Sequence, residues 1–135
     1  MSVKMSASRT TALVPLDECA VSEVDPERVA AAREGLISPA EAGDLAACFR
    51  LLGDPKRVRI LYALLGVGEL CVCDIAAAAE VSETSVSQSM RLLRTAGIVR
   101  NRREGRMVYY RLDDAHVRML LEVSREHVLG EEDDR

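Results

Sequence analysis

The chain has 135 residues, a net charge of −4, 48% apolar residues and 3% aromatic ones, with no Trp. That length allows one small domain and excludes a second independent core. A core built from Leu, Val, Ile, Ala and Met suits helices better than a β-sandwich. The longest nearly uncharged stretch, residues 60–67, is far too short to span a membrane. The apolar stretch at residues 11–16 is broken by Pro15 and does not read as a secretory signal. The chain is therefore expected in the cytoplasm, away from the membrane. There its four cysteines, Cys19, Cys48, Cys71 and Cys73, stay reduced, and a close pair reads as a metal or redox site before a structural disulfide.

In chain order, residues 1–24 are polar and irregular and read as a flexible arm. Residues 25–130 read as the folded domain and residues 131–135 as an acidic tail. Asp25-Pro26-Glu27 starts a first helix that Gly35 ends. Ser38-Pro39 starts a second, running to about Leu52, with Leu45, Cys48, Phe49 and Leu52 at helical spacing. On that apolar face Cys48 reads as a packed core thiol. Asp54-Pro55 opens a third helix, closed by Gly66 and Gly68. A short alanine-rich helix runs from Cys73 to about Glu80. After a tight turn at Glu80-Val81, Ser82 caps another helix that reaches Ala96, with Gly97 as its left-handed terminator. Residues 98–102 and 107–112, rich in β-formers, flank Arg103-Glu104-Gly105-Arg106 and predict a hairpin. Asp113 or Asp114 caps a last helix that ends at Gly130.

The charge is unevenly placed. Residues 84–112 hold seven arginines against one acid, Glu104, a local excess of +6 in an otherwise acidic chain. Helix, turn, helix and basic hairpin make the winged helix-turn-helix plan, mainly α with a small β wing. The second helix of the pair would enter the major groove of double-stranded DNA. Ser85 and Ser87 permit close approach, Gln88 can make paired hydrogen bonds to adenine, and Arg91 and Arg94 lie on the same face. Arg102, Arg103 and Arg106 of the wing would hold backbone phosphates. The competing reading is an ordinary amphipathic helix with a solvated charged face.

Residues 69–75 (ELCVCDI), 81–97 (VSETSVSQSMRLLRTAG) and 105–112 (GRMVYYRL) resemble the ArsR/SmtB family of metal-responsive repressors, CadC-like members above all. The resemblance covers roughly residues 40–129. It implies a homodimeric winged helix that binds a palindromic operator when metal-free and releases it on binding metal. Where the family often has His, this chain has Ser89, a difference expected to alter operator contacts rather than the fold.

Cys71 and Cys73 are the residues most telling of a signal. Residues two apart point to opposite sides of a strand or helix, so the pair is expected at an irregular helix start. Free N–H groups there would favour thiolate. Two sulfurs are too few for selective Cd2+, Pb2+ or Zn2+ binding, and Cys19 is the best further ligand. The resemblance implies that the arm supplies cysteine to this motif, commonly across the dimer. This arm has one cysteine where CadC-like relatives have two, which points to a three-sulfur site completed by water or by Asp17 or Glu18. Arsenite-sensing relatives often have a third cysteine where this chain has Ala76.

His116 and His127 share one face of the last helix but lie about 16 Å apart along its axis, so they cannot hold one ion within a chain. Antiparallel helices in a symmetric dimer would bring His116 of one chain against His127 of the other, forming two equivalent sites with Asp114 as an oxygen ligand. This spacing resembles the interfacial zinc site of SmtB and CadC proteins, whose fourth ligand falls at Gly130 here. Glu131 could replace it if the helix continues. The competing reading is two surface histidines on a dimerisation helix.

The expectation is a DNA-binding repressor released by Cd2+ or Pb2+, with Zn2+ as a third candidate, controlling efflux or resistance genes. The nearest alternative keeps the regulator and changes the signal to arsenite or thiol oxidation. A metal buffer or thiol enzyme is more distant, since the chain has no phosphate loop, no Ser/His/Asp arrangement and no Cys-x-x-Cys.

Overall fold

The computed structural model describes residues 24–130, and the chain divides into two compact units, residues 1–38 and 39–135. The first contributes one described helix, α1 (Pro26–Gly35). Asp25 caps it by accepting the Arg28 N–H at 3.1 Å, and Pro26 fills the first turn. Gly35, expected as the terminator, is its last helical residue, and Leu36 closes it in an extended conformation.

The second unit runs α2 (Pro39–Leu52), α3 (Pro55–Val67), β1 (Glu69–Cys71), α4 (Val72–Ala79), α5 (Glu83–Thr95), β2 (Val99–Glu104), β3 (Met107–Leu112) and α6 (Ala115–Gly130). Its helix ends follow from single residues. Asp54 accepts the Arg57 N–H at 3.1 Å to start α3, and Gly68, at φ +97°, returns its N–H to the Leu64 carbonyl to stop it. Ser82 accepts the Ser85 N–H at 3.0 Å to start α5. Gly97, at φ +78°, then lets the Ile98 N–H reach back to Leu93. Between α4 and α5 the left-handed position falls on Glu80, at φ +62°, the one non-glycine in that region among the described residues.

The three strands form an antiparallel sheet in the order β1-β3-β2. The hairpin β2–β3 is the expected wing, with Gly105 at φ +63° in its turn. The third strand is absent from the sequence reading, whereas the irregular helix start expected at Cys71 is present, as the junction where β1 runs into α4. β1 has three residues, too few for an alternation to show, yet it pairs Glu69 with Arg111, Leu70 with Tyr110 and Cys71 with Tyr109. It anchors the wing to the body of the fold.

The core lies among α3, α4, α5 and the sheet. Ile60, Leu61 and Leu64 pack with Ile75, Ala79, Val86, Met90, Leu93, Val99 and Leu112, and Leu121 joins them from α6. The Tyr62 hydroxyl donates to the Leu121 carbonyl at 2.7 Å, tying α3 to α6. Other apolar side chains find no cover among the described residues: Met119, Val123 and Val128 of α6 are more than half exposed. The apolar face expected on α2 is divided. Cys48 and Leu52 pack half-buried against the core, whereas Leu45 and Phe49 stand 46% and 58% exposed. No described helix is long and apolar enough to cross a membrane.

Candidate metal centre and nucleic-acid interface

Cys71 ends β1 and is the N-cap residue of α4, with φ −81° and ψ 169°, so the backbone turns from strand to helix at the thiol. This irregular junction does what neither a regular strand nor a regular helix could. It brings the Cys71 and Cys73 Sγ atoms to 3.3 Å, with Cys71 buried and Cys73 exposed. That separation is less than two zinc–sulfur bonds of about 2.3 Å each, so one soft cation can touch both. Asp74 adds a carboxylate: the three ligand atoms all lie within 4.8 Å of one another. The sequence reading missed Asp74. Its only signal was adjacency to the pair at a helix start, where consecutive side chains fan out around the free N–H groups.

The expected stabilisation of thiolate does not hold for Cys73. Its pKa is raised, first by the hydrogen bond with Cys71, then by burial and by the charges of Cys71, Asp74 and Glu83. An eight-residue helix supplies a weak dipole, and the crowding of electron-rich groups outweighs it. A divalent cation would reverse that balance, since it neutralises the same crowding and displaces the proton. The donor set of two sulfurs and one carboxylate thus fits a soft or borderline metal ion. Cys19, Asp17 and Glu18, the expected further ligands, lie outside the described residues.

The side chains expected to read DNA lie largely on the surface. Ser87, Gln88, Arg91 and Arg94 of α5 face outward, and Ser85 is half-buried. Ser89 is buried at 8% exposure, so the residue expected to alter operator contacts sits on the inward side of the helix. Lys56 and Arg57, at the start of α3, share a shallow cleft of about 190 Å³ with Ser85 and Gln88. The sequence reading passed over this pair because it lies outside the arginine-rich segment.

The wing arginines divide. Arg103 and Arg106 are exposed and make no ion pair with any described residue. Arg102 is held by Glu69 through two contacts of 2.9 Å, by Glu104 at 3.0 Å, and over the Tyr109 ring at 4.7 Å. The Arg102 guanidinium, first among its causes, lowers the pKa of Glu69. Arg100 pairs with Asp113 at 2.8 Å.

Asp114, not Asp113, caps α6, accepting the His116 and Val117 N–H groups at 3.0 and 3.1 Å. The Val117 N–H is the main reason that its carboxyl lies below the usual range, with His116 adding to it. The His116 Nδ1 stands 3.5 Å from Asp114 Oδ2, so these two expected ligands are adjacent within one chain. His127 is exposed on the last turns of the same helix, which includes Gly130. Glu131 lies outside the described residues.

Comparison with known proteins identifies the family and the fold. Residues 54–101 match the family described as bacterial regulatory protein, arsR family. The chain is 42% identical over 106 residues to a cadmium resistance transcriptional regulatory protein CadC homolog of Staphylococcus aureus, covering 78% of this chain and 87% of that protein. It is 42% identical over 116 residues to a transcriptional repressor SmtB homolog of Synechocystis, covering 86% and 80%. The fold is similar to the crystal structure of the AntR antimony-specific transcriptional repressor, at 30% identity and a TM-score of 0.66, covering 93% of this chain and all of that one. It is also similar to a homodimeric winged helix-turn-helix domain of Mycobacterium bovis, at 31% identity and a TM-score of 0.59, covering 70% and 93%. With its motifs in register and relatives covered over most of their length, the chain belongs to the arsR family of bacterial regulatory proteins, DNA-binding transcriptional repressors rather than enzymes.

Proposed function

We propose that this protein is a cytoplasmic homodimeric repressor that binds operator DNA when metal-free and lets go when Cd2+, Pb2+ or Zn2+ occupies Cys71 and Cys73, freeing efflux or resistance genes. The observation that carries the reading is the position of the 3.3 Å thiol pair. It sits at the junction between the strand that anchors the wing and α4, the first helix of the helix-turn-helix. A ligand there pulls on the strand that anchors the wing and on the helix that precedes α5. The names of the relatives support a metal inducer.

In this reading Gln88, Arg91 and Arg94, with Ser85 and Ser87, address the bases and nearby phosphates, while Arg103 and Arg106 hold the flanking backbone. The uncovered apolar side chains of α6 and of α2 supply the dimer surface. Cys71, Cys73 and Asp74 hold the ion, and Cys19 supplies the further sulfur from the arm. The bound cation replaces protons on the thiols and fixes their separation. Release follows if the metal binds the DNA-free arrangement more tightly, typically by about 1–3 kcal/mol in such linked systems. Asp114 and His116 of one chain, with His127 and Glu131 of the other, form a second, interfacial site for Zn2+.

The test is anaerobic operator release titrated with Cd2+, Pb2+, Zn2+ and arsenite. Cys71→Ser/Cys73→Ser is expected to abolish release, and His116→Ala/His127→Ala to leave thiol-driven release in place. Normal release by the cysteine double variant would overturn the thiol reading. Release by peroxide alone, restored by reductant, would replace metal by oxidation as the signal.

A further inference from the structure

Arg102 presents an unexpected geometry for a wing residue. It lies on β2, at the far side of the sheet from β1, yet its guanidinium crosses the central strand to reach Glu69. Arg102 pairs in register with Tyr109, and Tyr109 pairs with Cys71, so the three residues form one row across the sheet. Residues paired across strands share a face, as do residues two apart along a strand. Glu69 and Cys71 on β1, Tyr109 and Arg111 on β3, and Arg102 and Glu104 on β2 therefore belong to the same face. On it Arg102 has two carboxylates and an aromatic ring as partners.

We propose that Glu69 and Arg102 are positioning residues that brace the wing against the thiol strand, so that a displacement at Cys71 reaches the wing through this contact rather than being lost in the hairpin. The inference rests on the thiol pair as the metal site. A planar guanidinium held by two oxygens of one carboxylate resists both sliding and rotation, which a single contact would not. The backbone alone links β1 to β3 over only three residue pairs, and no ladder links β1 to β2. The bidentate pair supplies that missing link. Arg102 thereby works inside the protein, whereas Arg103 and Arg106 keep their charge available to phosphate.

The test compares Glu69→Gln, Arg102→Lys, Arg102→Ala and Arg103→Ala in the full-length protein, with folding checked by circular dichroism. Operator affinity is measured against salt concentration, with and without Cd2+, and Cd2+ binding is followed by thiolate-to-metal absorption. Losing a phosphate contact lowers the slope of log affinity against log salt by about 0.9. Arg103→Ala is expected to show that drop, and Arg102→Ala to keep the wild-type slope. In Glu69→Gln and Arg102→Lys, Cd2+ should bind with wild-type absorption while its effect on operator affinity falls at least threefold.

A slope drop in Arg102→Ala matching that of Arg103→Ala would overturn the brace and make Arg102 a DNA contact. Unchanged Cd2+ coupling in both Glu69→Gln and Arg102→Lys would also overturn it. If wild-type protein showed no Cd2+ effect at all, the metal-release reading would fail first, and with it the transmission role of the brace. The salt slopes would still decide whether Arg102 contacts phosphate.

Discussion

Cys71 lies directly opposite Tyr109 in the ladder between β1 and β3, so a thiol of the candidate metal centre is one strand away from the wing hairpin. The candidate metal centre and the sheet that carries the wing are parts of one hydrogen-bonded structure. A ligand that alters the strand-to-helix junction at Cys71 need not act through a distant relay.

Asp74 is expected to contribute to metal affinity, since its carboxylate lies within 4.8 Å of both sulfurs. In Asp74→Asn, Cd2+ should bind more weakly by competition with a chelator, while metal-free operator affinity stays near wild type. Unchanged Cd2+ affinity would remove Asp74 from the site.

Glu80 holds the left-handed position in the turn between α4 and α5, which only glycine adopts without a steric cost of about 1–2 kcal/mol. Its ion pair with Arg59 is exposed on both sides and contributes little. Glu80→Gly should therefore raise stability by about 1 kcal/mol in urea unfolding, after allowing for glycine's greater freedom in the unfolded chain. A loss of stability would show that the Arg59 contact matters more than the backbone.

Leu64 is fully buried where α3 meets the core. Leu64→Ala should cost about 2–5 kcal/mol, read as a lower urea midpoint at unchanged slope.

The exposed apolar side chains of α6 predict self-association. Met119→Glu combined with Val123→Glu should shift the protein to monomer in sedimentation and weaken operator binding, because two half-sites can no longer be engaged together. A dimer that survives both changes would place the interface elsewhere.

Asp114 makes the start of α6 sensitive to acid. Its carboxyl is ionised more readily in the folded protein than in the unfolded chain, chiefly because it accepts the Val117 N–H. The resulting stabilisation is fully present above the unfolded carboxylate value and is lost as pH falls through the lowered folded value. Asp114→Asn keeps a capping oxygen but does not titrate. Its melting temperature should change less than wild type's between neutral and acidic pH.

Much of this protein is legible in its residues because the relevant signals are local. Asp54-Pro55, Ser82 and Gly97 set helix ends through hydrogen bonds within a few positions, and the helix-turn-helix and hairpin follow from them. The Cys-x-Cys spacing likewise requires a break in regular structure at the thiols, and the strand-to-helix junction provides it. What tertiary structure alone decided depends on register between distant segments. β1 is too short to announce itself and exists because β3 offers it a partner. Ser89 turned inward, and Arg102 was paired with Glu69, 33 residues away, so one of three similar wing arginines, though exposed, has its charge met within the protein. Even the proton affinity of Cys73 was set by which groups the fold crowded around it, not by its helix position. A sequence lists charges and caps in order, but which charge neutralises which is settled only when strands are laid side by side.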